Sequence, residues 1–466
     1  MAEPQAQQAP PAQPEKFPKV FWIANVTELF ERGAYYAMAW FVTMYLGQLG
    51  LGNYWPSTLN SVLWTLIYFL PILSGTIADQ IGFRKALLGA FVLLSAGYFL
   101  MGFPVWFGGA ELKATIEDTV TAGPGIVVPV VLAIVIIGIG GSFVKPCILG
   151  TAQKSAGTRA TLAFAIFYMV VNMGSLFGRG FSYLIRTQTT KSYVFAAATA
   201  CTIAAFFIVA FLYRDPETMP GSKVPVKPKK SVRRILLDMV LVLRNLRFTL
   251  FLLVMSGFWF LYTQVYNVLP LYLKKVVEVD PDWDLYSAAN PIVIVCFQLL
   301  VTKLFGKMKP VRSIIVGCII IGISMAINLL PLYTAGGVQV LLINWLPIGS
   351  VFAIMTVALI AFGELFTSAR TFEYIGALAP KGQEGLFLGY ANLPTAIGAL
   401  AGGPVGAAIL NEIMCKNATK LESGLLELDP GNASLGWLVF MAIGFGTAAG
   451  LWVLNRWLEK QEARAA

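Results

Sequence analysis

The chain has 466 residues, 57% apolar and only 12% charged, with a mean hydropathy of +0.71 and a formal net charge of +10. Charged residues at about half their usual share exclude a soluble enzyme, a nucleic-acid-binding protein and a disordered scaffold, and leave a polytopic membrane protein. Histidine is absent, which removes histidine metal sites, Ser–His catalysis and a histidine proton switch.

Residues 1–19 are rich in Pro, Gln and Ala and read as a disordered cytoplasmic lead-in rather than a signal peptide. A bilayer-spanning helix needs ~20 apolar residues. Twelve windows qualify, near 20–47, 58–78, 85–105, 126–150, 160–186, 192–213, 247–273, 286–306, 312–333, 340–368, 385–411 and 434–457. The implied fold class is an all-α polytopic membrane protein. Four cysteines (Cys147, Cys201, Cys296 and Cys318) sit in apolar runs and Cys415 in a polar loop, so no disulfide framework is expected.

The tails, the even-numbered connections and the middle linker hold 24 of the 34 basic residues, and the opposite connections hold seven. This bias predicts that both termini are cytoplasmic and that the number of spans is even. The linker between spans six and seven is the longest on that side and falls at the midpoint of the chain. The expected domains are a lead-in (1–19), a six-helix bundle (20–213), a linker (214–246), a second six-helix bundle (247–457) and a tail (458–466), the bundles related by an axis along the membrane normal. Within the linker, apolar residues at 232, 235, 236, 239, 240 and 243 have helical spacing. That segment is either an amphipathic helix on the inner leaflet or a plain tether.

Three bases (Arg32, Lys145 and Arg179) and three acids (Glu28, Glu31 and Glu364) fall inside spans. Left alone in lipid, six charges would cost roughly 15–20 kcal/mol, at ~3 kcal/mol each. Their signs balance, which points to one shared, hydrated cavity. Glu28, Glu31 and Arg32 stand at i, i+3 and i+4 on one helix face, continued by Tyr35 and Tyr36. An arginine flanked by two glutamates can trade partners as one of them takes a proton, so the trio is a candidate proton-coupling device.

Between spans two and three lies Gly75-Thr76-Ile77-Ala78-Asp79-Gln80-Ile81-Gly82-Phe83-Arg84-Lys85. The glycines permit close helix approach, and Asp79 can cap a helix and hold a cationic partner in one state. Gly75, Asp79, Gly82, Arg84 and Lys85 form a candidate conformational switch. Their order resembles the signature of the major facilitator superfamily.

Further motifs sharpen the resemblance. Thr27-Glu28-Leu29-Phe30-Glu31-Arg32-Gly33-Ala34-Tyr35-Tyr36 resembles the first helix of proton-dependent oligopeptide transporters. Tyr68, Lys145-Pro146, Asn172-Met173-Gly174-Ser175-Leu176, Asn290-Pro291 and Gly363-Glu364-Leu365 with Ser368 and Leu378-Ala379-Pro380 follow in the order that family has them. The resemblance implies twelve helices in the major facilitator fold. It implies that Arg32 and Lys145 receive a peptide carboxylate, and that Asn172, Asn290 and Glu364 hold its amino terminus. It further implies that Tyr35, Tyr36 and Tyr68 contact its backbone, and that Glu28 and Glu31 couple protons. The family's seventh-helix acid has no counterpart in Phe258-Trp259-Phe260-Leu261-Tyr262-Thr263-Gln264, and Arg179 has no family role; an outer-gate pairing is expected for it.

The expected function is proton-coupled symport of di- or tripeptides, or peptide-like solutes, by a monomer in a bacterial inner membrane. The expected partners are the solute, protons and the lipid bilayer, with no nucleic acid. Alternatives are export or exchange of another amphiphilic or anionic solute, and a non-transporting sensor or lipid scramblase on the same fold. No nucleotide-binding loop, metal constellation or catalytic residue is read, so no cofactor, metal or enzymatic activity is expected.

Overall fold

The computed structural model describes residues 17–155, 159–216, 231–343, 345–379 and 387–465. Most of the expected lead-in, the centre of the linker and Pro380 lie outside the described residues.

Pro18, extended at φ −65° and ψ 157°, sets the start of α1 (Lys19–Ala39). The chain breaks at Trp40–Phe41 and resumes as α2 (Val42–Gln48). Helices α3 (Trp55–Phe69) and α4 (Pro71–Ile81) meet at 47°. Pro71 has no N–H for the helical ladder, and the bend falls there. Then follow α5 (Phe83–Trp106), α6 (Pro124–Ser155), α7 (Ala160–Gln188) and α8 (Tyr193–Leu212).

The second half opens with α9 (Val232–Leu243) and α10 (Leu246–Tyr262). A 3-10 turn, α11 (Val268–Tyr272) and a π-turn (Leu273–Val277) continue α10 as one irregular span. After α12 (Trp283–Tyr286) come α13 (Ala289–Phe305), α14 (Pro310–Ala326), α15 (Ile348–Leu378), α16 (Leu393–Ala408) and α17 (Pro430–Ala465). Among the described residues, ten helices are long and apolar enough to cross a membrane, or eleven when α3 and α4 count as one bent span. The expected twelve rests on α1, whose Glu28, Glu31 and Arg32 set it apart from the others by composition.

One expectation changes, and one segment left open between helix and tether forms a helix. The window at 340–368 is not helical from its start: Leu341–Ile343 pairs antiparallel with Leu346–Pro347, and the helix runs from Ile348 to Leu378. Pro347 is extended and steers its neighbour away from helical angles, so an apolar run that looks continuous is split. In the linker, Ser231 caps α9 by accepting from the Arg234 amide at 3.2 Å. The side chains of 232, 235, 236 and 239 lie outside the described residues. Val240 is exposed, while Val242 and Asp238 are buried, and Arg234 pairs with Asp238 at 3.2 Å.

In the first half α5 packs along α6 and α8, and α1 along α7 and α8; in the second, α14 packs on α15 and α17, and α10 on α16 and α17. The halves meet chiefly where α3 lies against α16. Gly403 makes that contact possible, because a Cβ there would overlap the Ser57 carbonyl oxygen and the Ser61 hydroxyl.

Hydrogen bonds between the halves cluster at the end remote from the chain termini. The Thr43 hydroxyl donates to the Tyr266 carbonyl at 3.1 Å, and the Asn60 amide to Asn267 Oδ1 at 2.8 Å. Lys275 donates to Asn53 Oδ1, and the Asn411 amide to the Asn53 carbonyl at 3.3 Å. Arg186 reaches Asp282 at 2.5 Å and Asp284 at 3.1 Å, and Lys191 reaches Asp280 at 2.6 Å. This end of the molecule is closed.

Candidate substrate cavity

Two glycines on α7 bring α1 into place. A Cβ at Gly174 would stand 2.6 Å from Arg32 Cβ, and one at Gly178 would stand 2.6 Å from the Gly33 carbonyl oxygen. The backbones therefore touch beside Arg32, and the charges of α1 are buried by that contact.

The arginine is held unequally. Its Nε and Nη2 donate to the two oxygens of Glu31 at 2.5 and 2.7 Å, while Glu28 Oε1 lies 3.5 Å from Nε. Both carboxylates are 1% exposed, and Glu28 Oε2 has no hydrogen-bond partner. A fork-to-carboxylate pair is the strong form of this interaction, so Glu31 is the anchor and Glu28 the looser member. Tyr35 and Tyr36 carry the guanidinium over their rings at 5.0 and 5.8 Å.

Lys145, beside Pro146 on α6, is exposed, yet it lies within electrostatic reach of Arg32, Glu28, Glu31 and Glu364. It makes no direct ion pair among the described residues. Tyr262, Ser368 and Asn290 aim polar groups at Glu364 on α15. Ser368 reaches Glu364 Oε1 at 3.4 Å, and Glu364 Oε2 stays unpaired. Tyr36 and Tyr68 each stand within electrostatic reach of both Arg32 and Glu364. The structure thus brings the positive groups of the first half and the acid of the second into one cluster. Aromatic rings roof it on the closed side, with Trp40 stacked on Tyr266 at 4.4 Å, Trp64 against Tyr266 at 4.4 Å and Trp64 on Tyr68 at 5.3 Å.

Some residues fall differently from expectation. The Asn172 side-chain amide donates to the Tyr168 carbonyl of its own helix at 2.9 Å and makes no hydrogen bond to Glu364. Tyr168, 61% exposed, stands within electrostatic reach of Glu364 and Tyr36. The polar residues after Phe258-Trp259 serve packing: Gln264 Nε2 donates to the Phe260 and Gly402 carbonyls at 2.6 and 3.2 Å, and Thr263 donates to the Phe260 carbonyl at 2.9 Å. Tyr262 is the seventh-span residue that faces Glu364. Arg179 touches Ser287 of the second half but meets no carboxylate among the described residues, contrary to a gate ion pair.

The switch loop divides its partners. Asp79 Oδ1 lies 3.7 Å from Lys154 on α6, and Gly75 packs on Pro146. Asp79 itself lies within α4. The N-terminal residue flanking α5 is Gly82, at φ 91°, and Asp215 after α8 accepts the Arg84 amide at 2.8 Å. Arg84 Nη2 also donates to the Ala210 carbonyl at 2.5 Å. Gly82 is needed for its positive φ and because a Cβ would press on the Asp215 carboxylate at 2.9 Å. Lys85 is exposed.

Two packed helical halves with buried charges meeting between them fit a membrane carrier, and the sequence says which kind. Residues 20–403 match the Major Facilitator Superfamily, and the chain belongs to that family. It is similar to the dipeptide and tripeptide permease A of Salmonella typhi, 25% identical over 452 residues that cover 84% of each chain. In fold it is similar to a peptide transporter, POT, solved in complex with sulfate (TM-score 0.72, 16% identity, 94% of each chain). A POT family transporter in complex with 5-aminolevulinic acid is another fold neighbour (TM-score 0.70, 18% identity, 94% of this chain and 96% of that one).

Proposed function

We propose that the chain is a proton-coupled symporter that moves di- and tripeptides, or peptide-like solutes, by alternating access. The observation that carries this is the meeting of Arg32 and Lys145 from one half with Glu364 from the other within electrostatic reach. A zwitterion has one negative and one positive end, and such a cluster matches both. Arg32 and Lys145 would take the carboxylate, and Glu364, with Asn290 beside it, the ammonium. Tyr35, Tyr36 and Tyr68 would line the backbone between them. Asn172 would join Glu364 only after a side-chain rearrangement.

The transporting unit is a monomer in a bacterial inner membrane, with both termini cytoplasmic and twelve spans. Residues 20–213 and 247–457 form its two bundles, joined by a 214–246 linker. The closed end described above then faces outward, and this conformation is open to the cytoplasm. Gly75, Asp79, Gly82, Arg84 and Lys85 would regulate the inner side through their ties to α6 and Asp215. Glu28 and Glu31 would carry the proton. A second reading, exchange or export of another small solute, draws on one observation: Thr263 and Gln264 pack helices where an acid would stand.

Thermal denaturation of the purified protein with a ligand panel tests the solute class. A ligand at 100 times its Kd stabilises the native state by about 2.7 kcal/mol. Dipeptides and tripeptides are expected to raise the melting temperature by a few degrees, about the shift that such a gain gives. Stabilisation by nucleosides, sugars or amphiphilic drugs with none by peptides would contradict the peptide reading.

A further inference from the structure

Arg179 is a positive charge that the reading above leaves unused. It stands on α7 with 1% exposure. Nη1 donates to the Ser175 carbonyl at 3.0 Å and to the Ser175 hydroxyl, and Nε reaches Ser287 Oγ at 3.4 Å. Nη2 has no partner. The guanidinium stacks on Trp40, 3.8 Å from its centroid, and lies 5.2 Å from the Tyr36 centroid.

A purely structural role would call for a carboxylate. The same helix shows what that looks like seven residues on, where Arg186 is met by Asp280, Asp282 and Asp284. No acid meets Arg179 among the described residues. Its surroundings are rich in unused donors instead: Trp40 Nε1 and the Ser182 hydroxyl, one turn along α7, are also buried without partners. An indole N–H and a guanidinium can only donate, and the ligand that complements them is an acceptor with negative charge. Stacking on Trp40 moderates the cost of the bare cation in the meantime. The Arg32 guanidinium sits 5.8 Å from the same Tyr36 ring, so two cations flank one tyrosine.

We infer that Arg179, with Trp40 Nε1, forms a second anion subsite beside the Arg32 and Lys145 site, and that it takes a second carboxylate, or a comparable anionic group, of the transported solute. The carrier therefore favours peptides with an acidic side chain over neutral peptides of the same shape. The inference rests on the peptide reading of the cavity.

The test is uptake of labelled alanyl-alanine into liposomes, with alanyl-glutamate and its neutral isostere alanyl-glutamine as competitors. In the parent, alanyl-glutamate is expected to inhibit at about tenfold lower concentration, the size of one charge-assisted contact. Arg179→Met and Arg179→Gln are expected to bring the two competitors to parity, and Arg179→Lys to keep part of the preference. The ratio is measured within each protein, so unequal folding of a variant leaves it unaffected. Equal inhibition in the parent, or a preference that survives both neutral variants, overturns the second subsite while leaving peptide transport standing. A parent that takes up no alanyl-alanine overturns the peptide reading and this inference with it.

Discussion

Replacing Arg32 by lysine is expected to lower both peptide uptake and peptide counterflow by about a hundredfold, although the charge is kept. The guanidinium satisfies both Glu31 oxygens at once and lies 3.5 Å from Glu28. An ammonium is a point donor and cannot span the fork, so one of two buried carboxylates loses its partner. Leaving a buried charge unpaired costs about 3–5 kcal/mol, more than enough for a hundredfold change. The measurement is exchange of labelled dipeptide in liposomes, with the folded amount checked by thermal denaturation. Activity of the lysine variant within a few-fold of the parent would mean that the fork geometry is dispensable.

Gly403→Leu is expected to act at a distance, by making the closed end untenable. Any side chain there collides with the Ser61 hydroxyl and with the Ser57 carbonyl of the facing helix, a backbone group that cannot turn away. Overpacking of this kind costs about 1–3 kcal/mol, which moves a two-state equilibrium by about ten- to a hundredfold. Transport should fall by that order. A cysteine placed at Asn60, which is 1% exposed and bonded to Asn267, should become reactive to an impermeant maleimide in a background lacking the five native cysteines. Unchanged labelling with unchanged transport would show that α3 and α16 do not form the closure.

Much of the site was legible because its cost is visible in one dimension. Charges inside apolar windows must be compensated, so Arg32, Lys145 and Glu364 announced themselves by position alone, and the spacing of Glu28, Glu31 and Arg32 placed them on one face. Which glutamate holds the arginine was not legible. Helical spacing favours the i, i+4 pair, but in the fold, with α7 packed against α1 at Gly174 and Gly178, the adjacent Glu31 closes the fork. Partners that come from distant segments stayed hidden for the same reason. Asp215 receives the Arg84 amide across 131 positions, and Tyr262 faces Glu364 only because α10 and α15 converge. The strand pair before Ile348 was invisible because hydropathy does not distinguish an apolar hairpin from an apolar helix. The span count shows the converse problem, since the charges that mark α1 as functional are the ones that make it a poor apolar helix.

Under the proposed function a first-helix carboxylate links peptide movement to protons, and Glu28 is the residue best placed for it. Glu31 is committed to Arg32 through both oxygens, whereas Glu28 has one buried oxygen without a partner and Lys145 within electrostatic reach. It can gain or lose a proton without releasing the arginine fork. The most direct measurement compares the parent with Glu28→Gln in liposomes, following dipeptide accumulation under an inward proton gradient beside counterflow without one. The parent should accumulate peptide against its gradient, and the variant should lose accumulation yet retain counterflow, because exchange needs no net proton movement. A Glu28→Gln protein that still concentrates peptide like the parent would contradict the account.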